Sequence, residues 1–159
     1  MYPGGNIIRV TPTLVIGSPT AFGDGDVLLN LTEIPNATSS RGGLSRLHNI
    51  SITNYDAESV VMQILFFQTN AGGDLGTENA QVSISDANFR ANKPLGWWET
   101  NNGDWFDIGS SADSSAMIYS GTANDNDPTI SYFAAIAQDT PTFAATNDLE
   151  FCFHIEYLS

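Results

Sequence analysis

The sequence predicts an all-β protein: an antiparallel β-sandwich, jelly-roll-like or immunoglobulin-like, with an extended N-terminal arm. Three observations predict it. Short apolar runs recur with a two-residue alternation, Gly, Asn, Asp and Pro separate them at short intervals, and no run of helical period is long enough to form more than about one turn. Seven or eight strands of this kind fit two packed sheets.

Residues 1–43 differ from the rest. Pro3, Gly4 and Gly5 open the segment, and Pro12, Gly17, Pro19, Gly23, Gly25, Pro35, Gly42 and Gly43 punctuate it, leaving no room for a helix. Its apolar runs are Ile7 to Ile16, carrying Ile7, Ile8, Val10, Leu14, Val15 and Ile16, and Val27 to Leu31. Pro12 cannot donate to a ladder, so the first run is an edge strand or an extended arm. Two placements stay open: across a neighbouring surface, or onto the edges of its own domain. The expected organisation is an arm over 1–43 and a β-sandwich over 44–159.

Leu44 to Asn54 alternates, with His48, Ile50 and Ile52 on one face and Leu47, Asn49, Ser51 and Thr53 on the other. After a turn at Tyr55 to Ala57, the run Glu58 to Thr69 is apolar on both faces: Val60, Met62, Ile64 and Phe66 against Val61, Leu65 and Phe67. Such a strand is central, or its second face is covered by something else, such as a partner. Asn70 to Gly76 reads as a loop and Gln81 to Ile84 as a short strand. Ser85 or Asp86 can cap a single helical turn that Pro94 ends. Leu95 to Glu99 and Trp105 to Ile108 read as strands joined by the turn Thr100 to Asp104. Ala116 to Ser120, Ile130 to Gln138 and Glu150 to Leu158 complete the set, the last with Phe151, Phe153, Ile155 and Tyr157 on one face and Cys152, His154 and Glu156 on the other.

Composition narrows function. The chain of 159 residues is 42% hydrophobic, enough for a core without disulfides, and it has one cysteine. Only 14% of residues are charged, against the usual ~25%. The net charge is −13, and all five basic residues, Arg9, Arg41, Arg46, Arg90 and Lys93, precede Pro94, while ten acids follow it. Phosphate backbones are bound through Lys and Arg, so no nucleic acid is expected as a partner, and anionic membrane surfaces are disfavoured for the same reason. No basic, then apolar, N-terminal stretch suggests a signal peptide. The apolar run Val60 to Phe67 is far too short to span a bilayer as a helix.

Catalytic chemistry finds little support. Cys152, His154 and Glu156 share one strand face, but side chains at i, i+2 and i+4 point in parallel and do not converge without partners, and the only other histidine is His48. No metal and no cofactor are expected. Asp24, Asp26 and the run Asn124 to Asp127 carry oxygen ligands, but Asp and Asn in tight loops are more often turn formers. Trp97, Trp98 and Trp105 gather near Glu99, Asn101, Asn102 and Asp104, a combination suited to a sugar-binding face. Trp97 and Trp98 point to opposite sides of one strand, so at most one joins the core by that face and the other is exposed or buried at an interface.

Ile84-Ser85-Asp86-Ala87-Asn88, Leu95-Gly96-Trp97, Asp104-Trp105-Phe106-Asp107-Ile108-Gly109, Tyr132-Phe133-Ala134-Ala135-Ile136-Ala137 and Thr140-Pro141-Thr142-Phe143-Ala144-Ala145 resemble a family of small tailed-bacteriophage capsid cement or decoration proteins. The resemblance spans about Leu44 to Tyr157 and leaves out the arm. It implies a structural, non-enzymatic virion protein with no active-site residues to carry over. It further implies synthesis in the host bacterial cytoplasm, binding to the outer surface of the capsid and a major capsid protein as partner. A homo-oligomer, favoured as a trimer, would bury the doubly apolar strand. The alternative is a carbohydrate- or receptor-binding β-sandwich module of a phage tail or virion surface. The candidate capsid or oligomer contacts are Ile7, Ile8, Val10, Leu14, Val15, Ile16, Val61, Leu65, Phe67, Trp97 and Trp98.

Overall fold

Two antiparallel sheets face each other across one aromatic core. The computed structural model describes residues 4–16, 21–40, 43–56, 59–107, 112–115, 119–122 and 130–158. In chain order the strands are β1 (Gly5–Val10), β2 (Val27–Ile34), β3 (Leu44–Asn54), β4 (Met62–Phe67), β5 (Pro94–Glu99), β6 (Phe106–Asp107), β7 (Ala112–Ser115), β8 (Tyr119–Thr122), β9 (Ser131–Ala137) and β10 (Leu149–Tyr157). A short helix, α1 (Asp86–Ala91), precedes β5, and a 3-10 turn (Asn102–Asp104) follows it. The first sheet runs β1-β10-β3-β7-β6, with β8 also on β3, and the second runs β2-β9-β4-β5.

Strand order makes this a jelly roll rather than an immunoglobulin-like sandwich. β7 pairs Ser51 to Asn54 of β3 and β8 pairs Leu44 to Leu47, so together they fill one position beside β3. The first sheet then has four main positions with the two-residue β6 outside them, and the second sheet has four. The chain alternates between the sheets through β1, β2, β3 and β4, stays for β5, and crosses again for β7–β8, β9 and β10. An immunoglobulin-type sandwich places its consecutive strands differently, with four on one sheet and three on the other.

The expected arm is part of both sheets. β1 pairs along its whole length with β10, from Gly5 opposite Glu156 to Val10 opposite Phe151. β2 pairs with β9. Ile8, Leu14, Phe22, Leu28, Leu29 and Ile34 lie in the same core as Ile50, Phe66 and Phe153, so the packing shows no division at 43/44. Of the two placements left open by Pro12, the edge placement is the one found: β1 and β2 each end a sheet. The reason is apolar area. Leu28 and Leu29 are completely covered by joining the core between the sheets.

The core centres on Phe66, Phe133, Phe151 and Phe153. Phe133 lies 4.9 Å from both Phe151 and Phe153, at tilted and edge-on angles, and Phe66 meets Phe153 edge-on at 6.4 Å. Edge-on and offset rings favour the aromatic quadrupole and add about 0.5–1.5 kcal/mol per pair beyond area burial.

β3 corrects the alternation read from sequence. The β3–β10 register slips between Asn49 opposite His154 and Leu47 opposite Ile155, leaving His48 as an extra residue. This bulge turns Leu47 into the core with Ile50 and Ile52 and leaves His48 outside, the reverse of the sequence expectation.

The expected hairpin of Leu95 to Glu99 with Trp105 to Ile108 is also absent. β5 pairs β4 in the second sheet, while β6 pairs β7 in the first. Between them the chain is pinned at Val60, whose carbonyl accepts from both the Thr100 hydroxyl and the Trp105 indole N–H, the latter at 3.1 Å. Gln81 to Ile84 forms no strand, making only an isolated bridge from Gln81 to Asp26. Part of the expected strand at Ala116 to Ser120, residues 116–118, lies outside the described residues.

The chain covers the inner face of β4 and the Phe67 end of its outer face. Its inner face, Met62, Ile64 and Phe66, meets the first sheet. Over the outer face runs the excursion 68–93, whose Leu75, Ile84 and Phe89 form a second apolar cluster with Val27, Phe67, Tyr132 and Ala134. Ser85 caps α1 as the sequence predicts, its hydroxyl accepting from the Asn88 amide. Phe89 then meets Phe67 edge-on at 5.5 Å. Two asparagines hold the excursion down. Buried Asn92 accepts from the Gly72 amide at 2.7 Å and donates to the Gly73 carbonyl at 2.9 Å. Asn30 on β2 accepts from the Leu75 amide and donates to the Gly76 carbonyl. Gly72 is required here, because a Cβ would fall 1.8 Å from the Asn88 carbonyl oxygen.

Candidate interaction surface

The molecule presents three candidate surfaces, of which the first and third carry side chains that sequence reasoning singled out. The first is the outer face of the first sheet, built by period-two alternation on β1, β10 and β3. It holds Ile7 and Arg9 on β1, Glu150, Cys152, His154 and Glu156 on β10, and Arg46 and His48 on β3. Glu156 is its centre, 2.6 Å from the His48 imidazole and 3.9 Å from the Arg46 guanidinium. Arg9 reaches Glu150 at 3.3 Å. Cys152 and His154, expected to point in parallel, touch, with Sγ 3.6 Å from Nε2. Strand twist lets neighbouring same-face residues lean together. The Cys152 thiol is buried. Among the described residues no group of three His, Cys, Asp or Glu is placed to hold a metal.

The second surface is a shallow cleft of about 370 Å³ at one end of the first sheet, lined by Thr11, Tyr55, Asn147, Asp148 and Glu150. Asp148 is nearly buried and serves the fold, its carboxylate accepting from the Ala145 amide at 2.7 Å.

The third surface is the outer face of the second sheet beyond the reach of the excursion. Register places Trp97 opposite Leu65 and Glu99 opposite Gln63, all four on one face. Trp97 is 61% exposed. Leu65 is half-buried, and the Gln63 amide donates to the Glu99 carboxylate at 3.4 Å. Trp98 turns inward and packs on the core, opposite in direction to Trp97 as alternation predicts, and Trp105 is buried. Asn101, Asn102 and Asp104 are exposed in the turn beyond Glu99.

The structure does not bring the candidate contact residues together. Ile8, Leu14 and Phe67 are buried, while Val10, Ile16, Val61, Leu65 and Trp98 are half-buried. Ile7, Val15 and Trp97 are exposed, but Ile7 and Trp97 lie on opposite outer faces of the sandwich. Asp24 and Asp26 act as turn formers: Asp26 accepts from the Gly23 amide at 2.7 Å and from the Gln81 side chain at 3.0 Å. Asn124 to Asp127 lie outside the described residues. Sequence reasoning missed the Gln63–Glu99 pair. Its signal was the two-residue spacing of Trp97 and Glu99, but the partner strand had to be known first.

No family model matches the chain, and no curated protein matches it. Among solved structures the chain is similar to a chain of the semi-empty virus-like particle of the nodavirus of the giant freshwater prawn Macrobrachium rosenbergii. That match has 14% identity over 98% of this chain and 90% of that one, with a TM-score of 0.31. A chain of the native Kashmir bee virus virion at neutral pH shows 8% identity over 98% and 69%, with a TM-score of 0.29. The VP2 protein of infectious bursal disease virus, from derived T=1 particles, shows 7% identity over 98% of this chain and 39% of that one, with a TM-score of 0.25. The fold assignment rests on strand order and not on these likenesses.

Proposed function

We propose that this chain is a structural virion protein that binds the outer surface of a capsid and stabilises it. The observation that carries the reading is the jelly-roll connectivity, an architecture used by viral capsid proteins, lectins and cupins. Fold alone does not select among them. The resemblance to phage cement and decoration proteins adds to it. Ile84 to Asn88, Leu95 to Trp97 and Tyr132 to Ala137 all fall in the second sheet or the segment covering it, in and around α1, β5 and β9. The acidic charge supports an exterior position, since a chain of net charge −13 is repelled by packaged nucleic acid.

In this reading a major capsid protein is the partner and the virion is the location. Self-association at three-fold sites as a trimer belongs to the same proposal. Within the doubly apolar strand, Phe67 does not supply its contact, because it is covered by Phe89 of the same chain. Fractionating particles by density gradient tests the reading. The expected result is this chain in stoichiometric amount with a major capsid protein, and particles that disrupt at lower temperature after its removal. Closed shells formed by the purified chain alone would make it the coat subunit itself. Absence from particles would overturn the virion reading.

A further inference from the structure

We propose that the open part of the second sheet's outer face binds a neutral saccharide, with Trp97 as the stacking surface and Glu99 and Gln63 as hydrogen-bonding groups. This goes beyond attachment to a capsid. Trp97 is the most exposed large hydrophobic side chain among the described residues, at 61%. It does not stand on a mobile loop. β5 is held in an antiparallel ladder to β4, Trp98 anchors it to the core, and Thr100 fixes its end through hydrogen bonds to Val60 and Met62. The indole is therefore presented on a rigid strand, which lowers the ordering cost of binding.

The neighbours of Trp97 select the ligand class. Glu99 shares its face two residues along the strand, roughly 6.6 Å away, a separation that one pyranose ring and its hydroxyls can span. The Glu99 carboxylate and Gln63 amide are flat groups in mutual contact, so they can meet adjacent hydroxyls while the apolar face of the ring lies on the indole. Exposed Asn101, Asn102 and Asp104 extend the polar margin. A second protein surface fits less well, because the centres of protein interfaces are depleted in charge and here a carboxylate flanks the aromatic. An anionic sugar is disfavoured by the net charge of −13 and by the lack of any Lys or Arg after Lys93.

The test is a titration of the full-length chain labelled with nitrogen-15, following the indole N–H signals of its three tryptophans, with Trp97→Phe to assign the Trp97 signal. The probes are lactose, maltotriose and chitobiose at millimolar concentration, with sialyllactose as the charged control. A saturable shift of the Trp97 signal with at least one neutral probe is expected, with the Trp105 signal unmoved. Trp97→Ala should weaken that binding by about tenfold or more, measured by calorimetry, and Glu99→Gln should weaken it less. The Trp105 signal reports that each variant is folded. No response of the Trp97 signal to any neutral probe overturns the proposal, as does a response to sialyllactose alone. Loss of capsid attachment or self-association in Trp97→Ala, without any response to sugar, would instead make this face a protein interface.

Discussion

Leu47 and His48 are adjacent and so face opposite sides, and the bulge in β3 decides which of them is buried. Leu47 is buried beside Ile50 and Ile52, whereas His48 lies on the surface against Glu156. Leu47→Ala is expected to cost about 2–5 kcal/mol, the range for emptying a buried aliphatic site. His48→Ala should cost no more than about 1 kcal/mol, since it removes one half-exposed side-chain contact with Glu156. Urea denaturation of the two variants measures the contrast, and equal losses would place the bulge elsewhere. The same logic applies at Thr100, whose hydroxyl joins the Val60 carbonyl to the Met62 amide. Thr100→Val keeps the shape and strands buried polar atoms, so a loss of about 1–3 kcal/mol is expected. Cys152 and His154 touch each other, but replacing them with Ser and Gln should cost only about 0.5–3 kcal/mol and leave capsid binding intact. Loss of binding by a double variant with an unchanged circular dichroism spectrum would give this pair a functional role.

Among the elements, the N-terminal segment shows best how a sequence signal can be correct and incomplete. Pro12 left an edge strand or an extended arm open, and β1 and β2 are edge strands paired with β10 and β9. What punctuation could not convey is that these edges complete both sheets. Deleting residues 1–40 is therefore expected to abolish the cooperative thermal transition, because it removes one strand from each sheet together with Leu14, Phe22 and Leu28. A truncated chain that kept a sharp transition would separate the segment from the core. The excursion 68–93 is the second case. Alternation marked the outer face of β4 as apolar, and the cover proved to be the chain's own Leu75, Ile84 and Phe89. Phe89→Ala should uncover Phe67, lower stability by about 1–3 kcal/mol and raise binding of a hydrophobic dye. No change in dye binding would mean that another part of the excursion carries the cover.

Over the whole molecule, charge and topology act separately. The jelly roll is set by which strands pair, and the net charge of −13 governs which surfaces the molecule can approach. Two of the five basic residues, Arg9 and Arg46, stand on the outer face of the first sheet, and both are engaged by Glu150 and Glu156. No basic stripe is left on that face to follow a phosphate backbone. The chain is expected to leave duplex DNA unshifted in an electrophoretic assay even at low ionic strength, where counterion release favours binding most. A shifted band that disappears with added salt would contradict this.

The sequence by itself determined what depends on neighbours along the chain. Alternation gave most of the strands, Ser85 and Pro94 marked the helix that precedes β5, and the opposite directions of Trp97 and Trp98 followed from the pleat. It also determined charge, and with it the classes of partner that are disfavoured. Tertiary structure alone decided the rest: the assignment of each strand to a sheet, the bulge that exchanged Leu47 and His48, the crossing between β5 and β6, and the meeting of Gln63 with Glu99. These features rest on pairings between residues far apart in the chain, such as Val10 with Phe151. Local periodicity fixes which face of a strand is apolar, but the apolar surface that covers it is supplied by whichever distant segment packs there best.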